Sequence, residues 1–583
     1  MNILKNYLAK LHAQNKNRID ELYLDRLSKI DDYKILEYEF FGLKFWFFGT
    51  SHRNPEKLIL NIEIPKIYIS DNINTDNVVA FEHYILKSLF EDINKINDDY
   101  FNKNKSSREK PYVESQKTNE IIIKRNGITY DFNKNVFHYK LIFIVPLINN
   151  ASINGKSTFK AIKEIISLVS KKLELINKDE LNKNIDIYVK QQEIRRYIKE
   201  NNLVTFIAND SILPRKEGTN KPLEDATKFI SPRSLETVIK LNDGTKILGM
   251  GIKKGITVIT GGGYSGKTTL LEAIEMGVYN HEYGDGREYC ITDDSAMKIC
   301  AEDGRYVTNT DISPFYKYIP SSEGVYNFST QDASGSISQA VNIIEAINCE
   351  SKLLLIDEDR SATNFMIRDY NMHLVVKNDP IIPFTNRIKE IYNDFDASTI
   401  LVIGGSSVYL NYANCVILLE DYIPKDITSF VKTLDLVKVI EEPDKTNFIS
   451  KRKIANFKSK EVFNYFNFVA NDKSKNIVID EYQADITFIS TLISDSQINY
   501  LAYIMQLILS KSEFWCDDII YSIMYKNNKL FDESIQQIIS QYNFKCDVWF
   551  DDIRKQDVIS CINRLRGIRF EFMLKECGTN EFR

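Results

Sequence analysis

Residues Gly255 to Leu271 read GITVITGGGYSGKTTLL, an apolar β-branched run, a glycine-rich turn, and a helix-forming segment opened by Lys267-Thr268-Thr269. The spacing G-x-x-x-x-G-K-[ST] is met by Gly261, Gly266, Lys267 and Thr268, the phosphate-binding loop pattern. Each part has a physical role. Gly261, Gly262, Gly263 and Gly266, with Tyr264 and Ser265 between them, let successive backbone N–H groups converge on phosphate oxygens. The helix starting near Lys267 adds unpaired N–H donors and a positive dipole end. Lys267 is positioned to reach the β- and γ-phosphates, Thr268 offers a hard oxygen to Mg²⁺, and Thr269 continues the first turn. The alternative, a glycine-rich turn without a ligand, leaves the strand before and the helix after without a purpose.

Working outward, Leu353-Leu354-Leu355-Ile356-Asp357-Glu358 lies about ninety residues downstream. Four apolar residues followed by two acids describe a buried parallel strand that delivers carboxylates at its C-terminal edge, where open α/β sheets bind ligands. Asp357 is the expected Mg²⁺ partner, and Glu358 the residue that orients or deprotonates the attacking water. Between the two motifs, Ser334-Gly335-Ser336 opens a helical run, Ile337 to Ile347; Ser334 is an ordinary helix cap, a ligand contact, or both.

These stretches together resemble the ABC class of ATPases. Ala333-Ser334-Gly335-Ser336 is similar to the signature motif, 23 residues before Asp357, and DEDRSATN from Asp357 to Asn364 is similar to the Walker B and D-loop run. Thr399 to Ile403 resembles the strand that carries the family's switch histidine, but Gly404-Gly405-Ser406 stand there instead. The wider pattern, including LVTFIANDSILPR from Leu203 and CINRLR near the end, is similar to soluble predicted ATPases of this class, in which the histidine is absent. The resemblance implies ATP and Mg²⁺ as ligands and a head-to-tail homodimer. Ser334, Gly335 and Ser336 of one subunit would then cap ATP on the P-loop of the other, with Ser406 as candidate γ-phosphate sensor. No clear Q-loop glutamine is found; Asp311 and Ser313 occupy that interval.

The fold class that follows is α/β, a P-loop ABC-type core over residues 216–441, flanked by an N-terminal α/β domain over 1–215 and a mainly helical region over 442–583. Residues 1 to about 200 alternate strand-like runs, Phe40–Phe48, Leu58–Ile64 and Lys140–Val145, with helical patterns, Val78–Phe90 and Ser157–Leu175, suiting either an α/β or an α+β arrangement. Asn154-Gly155-Lys156-Ser157-Thr158 imitates half a P-loop, but Asn150 stands where its first glycine belongs, so it reads as a helix start. Lys216 to Lys228 reads as a linker or lid.

Composition sets the boundaries. A length of 583 residues exceeds one ordinary core, and 43% hydrophobic and 27% charged residues belong to globular chains. A net charge of −5 offers no general attraction to nucleic acid or anionic membranes. Two local basic groups could still contact phosphates: Asn102 to Gly127, and Arg554, Arg564, Arg566 and Arg569 near the end; a solvated surface or internal ion pairs explain them equally. On them rests the expectation of RNA or single-stranded DNA as partner. Eight cysteines without a C-x-x-C pair, and no apolar span or secretory leader, lead to the expectation of a cytoplasmic, reducing setting. Three functions remain in play: an ATP hydrolase coupling dimer closure to movement of appended domains, a non-hydrolysing ATP-gated clamp, and a small-molecule kinase, for which the signature has no use.

Overall fold

A computed structural model describes residues 2–23, 36–50, 54–101, 108–320, 324–368, 375–376, 378–436, 444–455, 469–471, 475–510 and 547–573. Contacts divide the chain into Met1–Val189 with Lys529–Asp552, and Lys190–Asn528 with Ile553–Arg583.

The first unit is built on an antiparallel sheet, so of the two arrangements open to its sequence it takes α+β. Its strands run Glu37–Phe40, Leu43–Gly49, Lys57–Pro65, Val136–Ile144, Tyr112–Glu114, with Ile128–Asp131 also paired to Val136–Ile144. The run expected as one strand, Phe40–Phe48, turns back at Phe41-Gly42, both at positive φ. Two left-handed central residues make the hairpin turn whose twist suits antiparallel strands. Alternate residues of Leu43–Gly49 and Lys57–Pro65 are buried, and Leu4, Leu8 and Leu11 of the helix Asn2–Leu11 join the same core as the inner face of Gly155–Glu174. Asn154 caps that last helix by accepting from the Ser157 N–H at 3.2 Å, and a Cβ at Gly155 would stand 2.0 Å from Leu8 O. The P-loop imitation is therefore a helix start whose glycine is required by close packing.

The second unit is organised on a six-stranded sheet in the order Met297–Ile299, Leu353–Asp357, Ser398–Val402, Ile256–Gly261, Cys415–Glu420, Ile423–Asp426. The first five are parallel and the last returns antiparallel. Leu353–Asp357 and Ser398–Val402 are buried at every position, as expected of parallel strands covered on both faces. A second sheet is antiparallel, Glu236–Lys240, Lys246–Lys253, Leu203–Ala208 and Cys290–Thr292, so its third strand comes from upstream of residue 216. The helices Lys267–Met276 and Gly335–Asn348 follow the P-loop and the signature-like turn. Among the described residues after 441 lie three short strands over 469–485, the helices Asp495–Ser510 and Lys555–Arg564, and a pair of strands, Arg452–Ile454 with Phe570–Phe572. Among the described residues, no helix is long and apolar enough to cross a membrane.

Candidate nucleotide site

Parallel topology gathers the site at one sheet edge. Ile259 is opposite Val402, Val402 is opposite Asp357, and Gly261 is opposite Leu419, so the P-loop, the Gly404 turn and the two acids leave adjacent strands at the same level. Lys267, Glu358 and Ser406, separated by up to 139 residues of sequence, are brought to that edge by these registers.

The P-loop is open above and tight below. Gly261 has φ +152° and a Cβ there would lie 2.5 Å from Leu419 O, while Gly266, with φ +96°, precedes the helix in the left-handed region. Added Cβ atoms at Gly262 and Gly263 would meet nothing within 4 Å, so this part of the loop is free for a ligand's approach. Tyr264 is fully exposed, at 100%. Ser265 is buried, and its hydroxyl finds no hydrogen-bond partner. The Lys267 ammonium donates to Gly261 O at 2.9 Å and Gly262 O at 2.8 Å, which stores a mobile cation on the loop it is expected to serve. Thr268 is exposed in the first helical turn and Thr269 half-buried behind it.

Asp357 is 4% exposed; its Oδ1 accepts from the Asp359 N–H at 3.1 Å. Glu358 is half-buried, and its Oε2 accepts from the backbone N–H groups of Gly404 at 2.7 Å and Gly405 at 3.0 Å. Burial, with the Glu358 charge second, holds the nearby Tyr409 phenol well above its ordinary pKa, and this hydroxyl donates to Met366 O at 2.6 Å. Among the described residues no three His, Cys, Asp or Glu gather as a metal cage. The donor set of Thr268 and Asp357 nevertheless fits Mg²⁺, which takes few protein oxygens when phosphates and water complete its shell.

Ser334 takes the cap position of its helix with φ −66° and ψ 161°, yet its side chain makes no capping bond. The hydroxyl is exposed and lies 3.4 Å from that of Ser336. Gly335 packs on Ala301, Asp303 and Ala362, where an added Cβ would be 3.2, 3.2 and 3.9 Å away. Gln339 ties this helix to the loop after the acids: it donates to Ser361 Oγ at 2.9 Å and accepts from Ala362 N–H at 2.8 Å. Sequence reading missed this Gln; only its place one turn into the helix hinted at it. In the Q-loop interval the Asp311 side chain accepts from the Ser313 N–H at 2.9 Å, a local turn contact.

Beside the P-loop helix lies a cavity of about 370 Å³. Its apolar wall includes Leu213, Pro214, Leu223, Phe229 and Leu419, and Asp225, Gly266, Thr269 and Tyr422 are among the other residues that line it. Tyr422, another residue that the sequence reading left unassigned, is held at φ +69° in the turn between the last two strands.

Of the readings open to the basic groups, internal pairing accounts for four of their arginines. Arg564 is buried and bonded to Glu302, Asn342 and Ser560 O, and Arg566 donates to Gln331 O and Gly304 O. Arg554 donates to Ala296 O, and Arg125 is buried against Asp551, His83 and Asn119. A guanidinium left buried without acceptors is costly, which explains the partners of the buried Arg125 and Arg564; the half-buried Arg554 and Arg566 likewise spend donors on internal carbonyls. Lys103 and Lys105 lie outside the described residues.

The sequence model of the ABC ATPase P-loop domain matches residues 177–455. This region is an ABC-type P-loop ATPase domain. A relative of this domain is the uncharacterized protein MJ1628 of Methanocaldococcus jannaschii, 36% identical over 228 residues, which is 37% of this chain and 50% of that one. The chain thus spans about half the length of the curated relative it matches. The ADP conformation of MJ1267, an ATP-binding cassette of an ABC transporter, is 16% identical, with 34% of this chain and 91% of that one covered and a TM-score of 0.23. CbiO1 of Clostridium perfringens, part of the transporter complex CbiONQ, is 13% identical, covering 38% and 87%, with a TM-score of 0.22.

Proposed function

We propose that this chain is an ATP hydrolase working as a head-to-tail homodimer, its closure moving the domains appended to the P-loop core. The observation that supports this is that the P-loop strand and the strand ending in Asp357 flank Ser398–Val402 in one parallel sheet, so that the P-loop and the two acids leave the sheet at the same level. In this reading Gly261 to Thr269 cradle the phosphates, Thr268 and Asp357 hold Mg²⁺, and Glu358 acts on water. Mg²⁺ supplies charge neutralisation on the phosphates. The cavity beside Gly266 receives the nucleoside, its volume being in the range of small-molecule sites. Ser334, Gly335 and Ser336 face a partner subunit's nucleotide; the unused capping hydroxyl of Ser334 supports this role. The chain acts in the cytoplasm.

A second reading, an ATP-gated clamp with negligible turnover, draws on one observation: the Glu358 carboxylate is engaged by two backbone donors. Turnover by the purified protein, beside Glu358→Gln, separates the two. Hydrolysis by the parent, its loss in the variant and an ATP-stabilised dimer of the variant support the enzyme; background rates from both support the clamp. The same assay with RNA or single-stranded DNA at fixed salt tests nucleic acid as the gripped polymer, with a changed rate as the supporting result.

A further inference from the structure

Gly404 and Gly405 leave the sheet at a decisive place. Their strand, Ser398–Val402, lies between the P-loop strand and the strand ending in Asp357, and the Ile403 N–H extends its ladder to Ile259 O at 2.9 Å. The turn that follows therefore emerges between the phosphate-binding loop and Glu358. Both of its N–H groups point at a single anionic oxygen, Glu358 Oε2, at 2.7 and 3.0 Å. Successive backbone donors converging on one anion form an anion-binding site in their own right. The turn is exposed, and a Cβ at Gly405 would meet nothing within 4 Å, so a second anion can approach. Ser406, the next residue, has a buried hydroxyl without a hydrogen-bond partner.

We propose that the Gly404 and Gly405 amides are the sensor of the terminal phosphate and that they work by exchange. The inference rests on the reading of the P-loop as an ATP site. A γ-phosphate seated there takes the two N–H donors, and Glu358 is released. Release frees the oxygen that the two amides had occupied, so the carboxylate can accept a hydrogen bond from water. The water oxygen then bonds to the γ-phosphorus as the bond to the β-phosphate oxygen breaks, its electron pair leaving with ADP, and the water proton passes to Glu358. A diphosphate, lacking the third phosphate, leaves Glu358 where it is.

Nuclear magnetic resonance on the full chain labelled with [15N]glycine tests the exchange, the two amide signals being assigned by their shift in Glu358→Ala. The β,γ-imido analogue of ATP is expected to move both signals and ADP neither. Glu358→Ala, which removes the competitor, is expected to tighten the imido analogue about fivefold or more relative to ADP, and Glu358→Gln, which keeps an acceptor, to do so less. The proposal is overturned if both nucleotides bind while the analogue leaves the signals unmoved, if ADP moves them equally, or if Ala and Gln tighten the analogue alike, as simple charge repulsion requires. Binding of neither nucleotide would instead remove the ATP-site reading and the sensor with it.

Discussion

Tyr422 lies against Gly266, its Cδ1 atom 3.1 Å from where a Cβ on that glycine would sit. Asp421 and Tyr422, at φ +48° and +69°, are the two central residues of the hairpin joining Cys415–Glu420 to Ile423–Asp426. Such turns favour Asn-Gly, and a bulky residue in the left-handed region costs about 1–2 kcal/mol. With Tyr422 59% exposed, burial does little to offset that cost. A ring retained at a strained position beside the P-loop is suited to stack on a nucleoside.

Tyr422→Gly is accordingly expected to raise the thermal midpoint by roughly 1–3 °C while weakening ATP binding by about 1–2 kcal/mol, the scale of one base–aromatic stack. Calorimetry with ATP and with inorganic tripolyphosphate provides the check. An equal loss for both ligands would mean that the ring does not touch the base.

The P-loop glycines separate into structural and ligand-facing positions. Gly261→Ala drives a Cβ toward Leu419 O at 2.5 Å from a left-handed backbone and is expected to destabilise the chain by about 2 kcal/mol or more. Gly263→Ala adds its methyl to open space, so the melting midpoint should stay within about 1 °C while ATP affinity falls at least tenfold. Denaturant titration beside nucleotide binding distinguishes them; a large stability loss in Gly263→Ala would contradict the division.

Arg564 closes a buried network. Its guanidinium meets Glu302 and Asn342, and Arg305 bonds Asn342 and Glu345 of the signature helix. Burial pushes the Glu302 pKa up, but Arg564 and Arg305 outweigh it and hold this carboxyl below its ordinary range. Arg564→Met strands a buried carboxylate and is expected to cost about 3–5 kcal/mol, whereas Glu302→Gln with Arg564→Met should recover part of that loss. A double variant no more stable than Arg564→Met would show that packing, not charge, is lost.

Asp557 gives the opposite sign. Burial raises its pKa, only partly opposed by Arg554 and by the Thr491 hydroxyl, which donates to Oδ1 at 2.6 Å; Oδ2 has no hydrogen-bond partner. A carboxyl raised in the fold contributes stability that is complete below its unfolded pKa and is lost as pH rises through the folded value. Asp557→Asn, neutral throughout, should therefore melt higher than the parent at pH 8 by a few degrees, with the gap narrowing toward pH 4. A gap that is constant from pH 4 to 8 would exclude ionisation as its cause.

Local order along the chain was enough to identify the ATPase core. Phosphate loops, buried parallel strands and helix starts depend on neighbours within a few residues, so Gly261 to Thr269, Leu353–Asp357 and the turn before Gly335–Asn348 could be read directly. The paired carboxylate and turn could not. Glu358 and Gly404 are 46 residues apart, and their contact arises from strand order, with Ser398–Val402 inserted between the two motif strands. Nor could the basic groups be judged, because Arg564 differs from a surface arginine in having Glu302 and Asn342 folded against it, 262 and 222 residues away. The hairpin Phe41-Gly42 and the strained Tyr422 tell the same story on a smaller scale: side-chain type alone does not reveal backbone sign or what a ring faces. Motifs bound to one turn are written in the sequence, whereas partners that meet across a sheet edge are decided by which strands become neighbours.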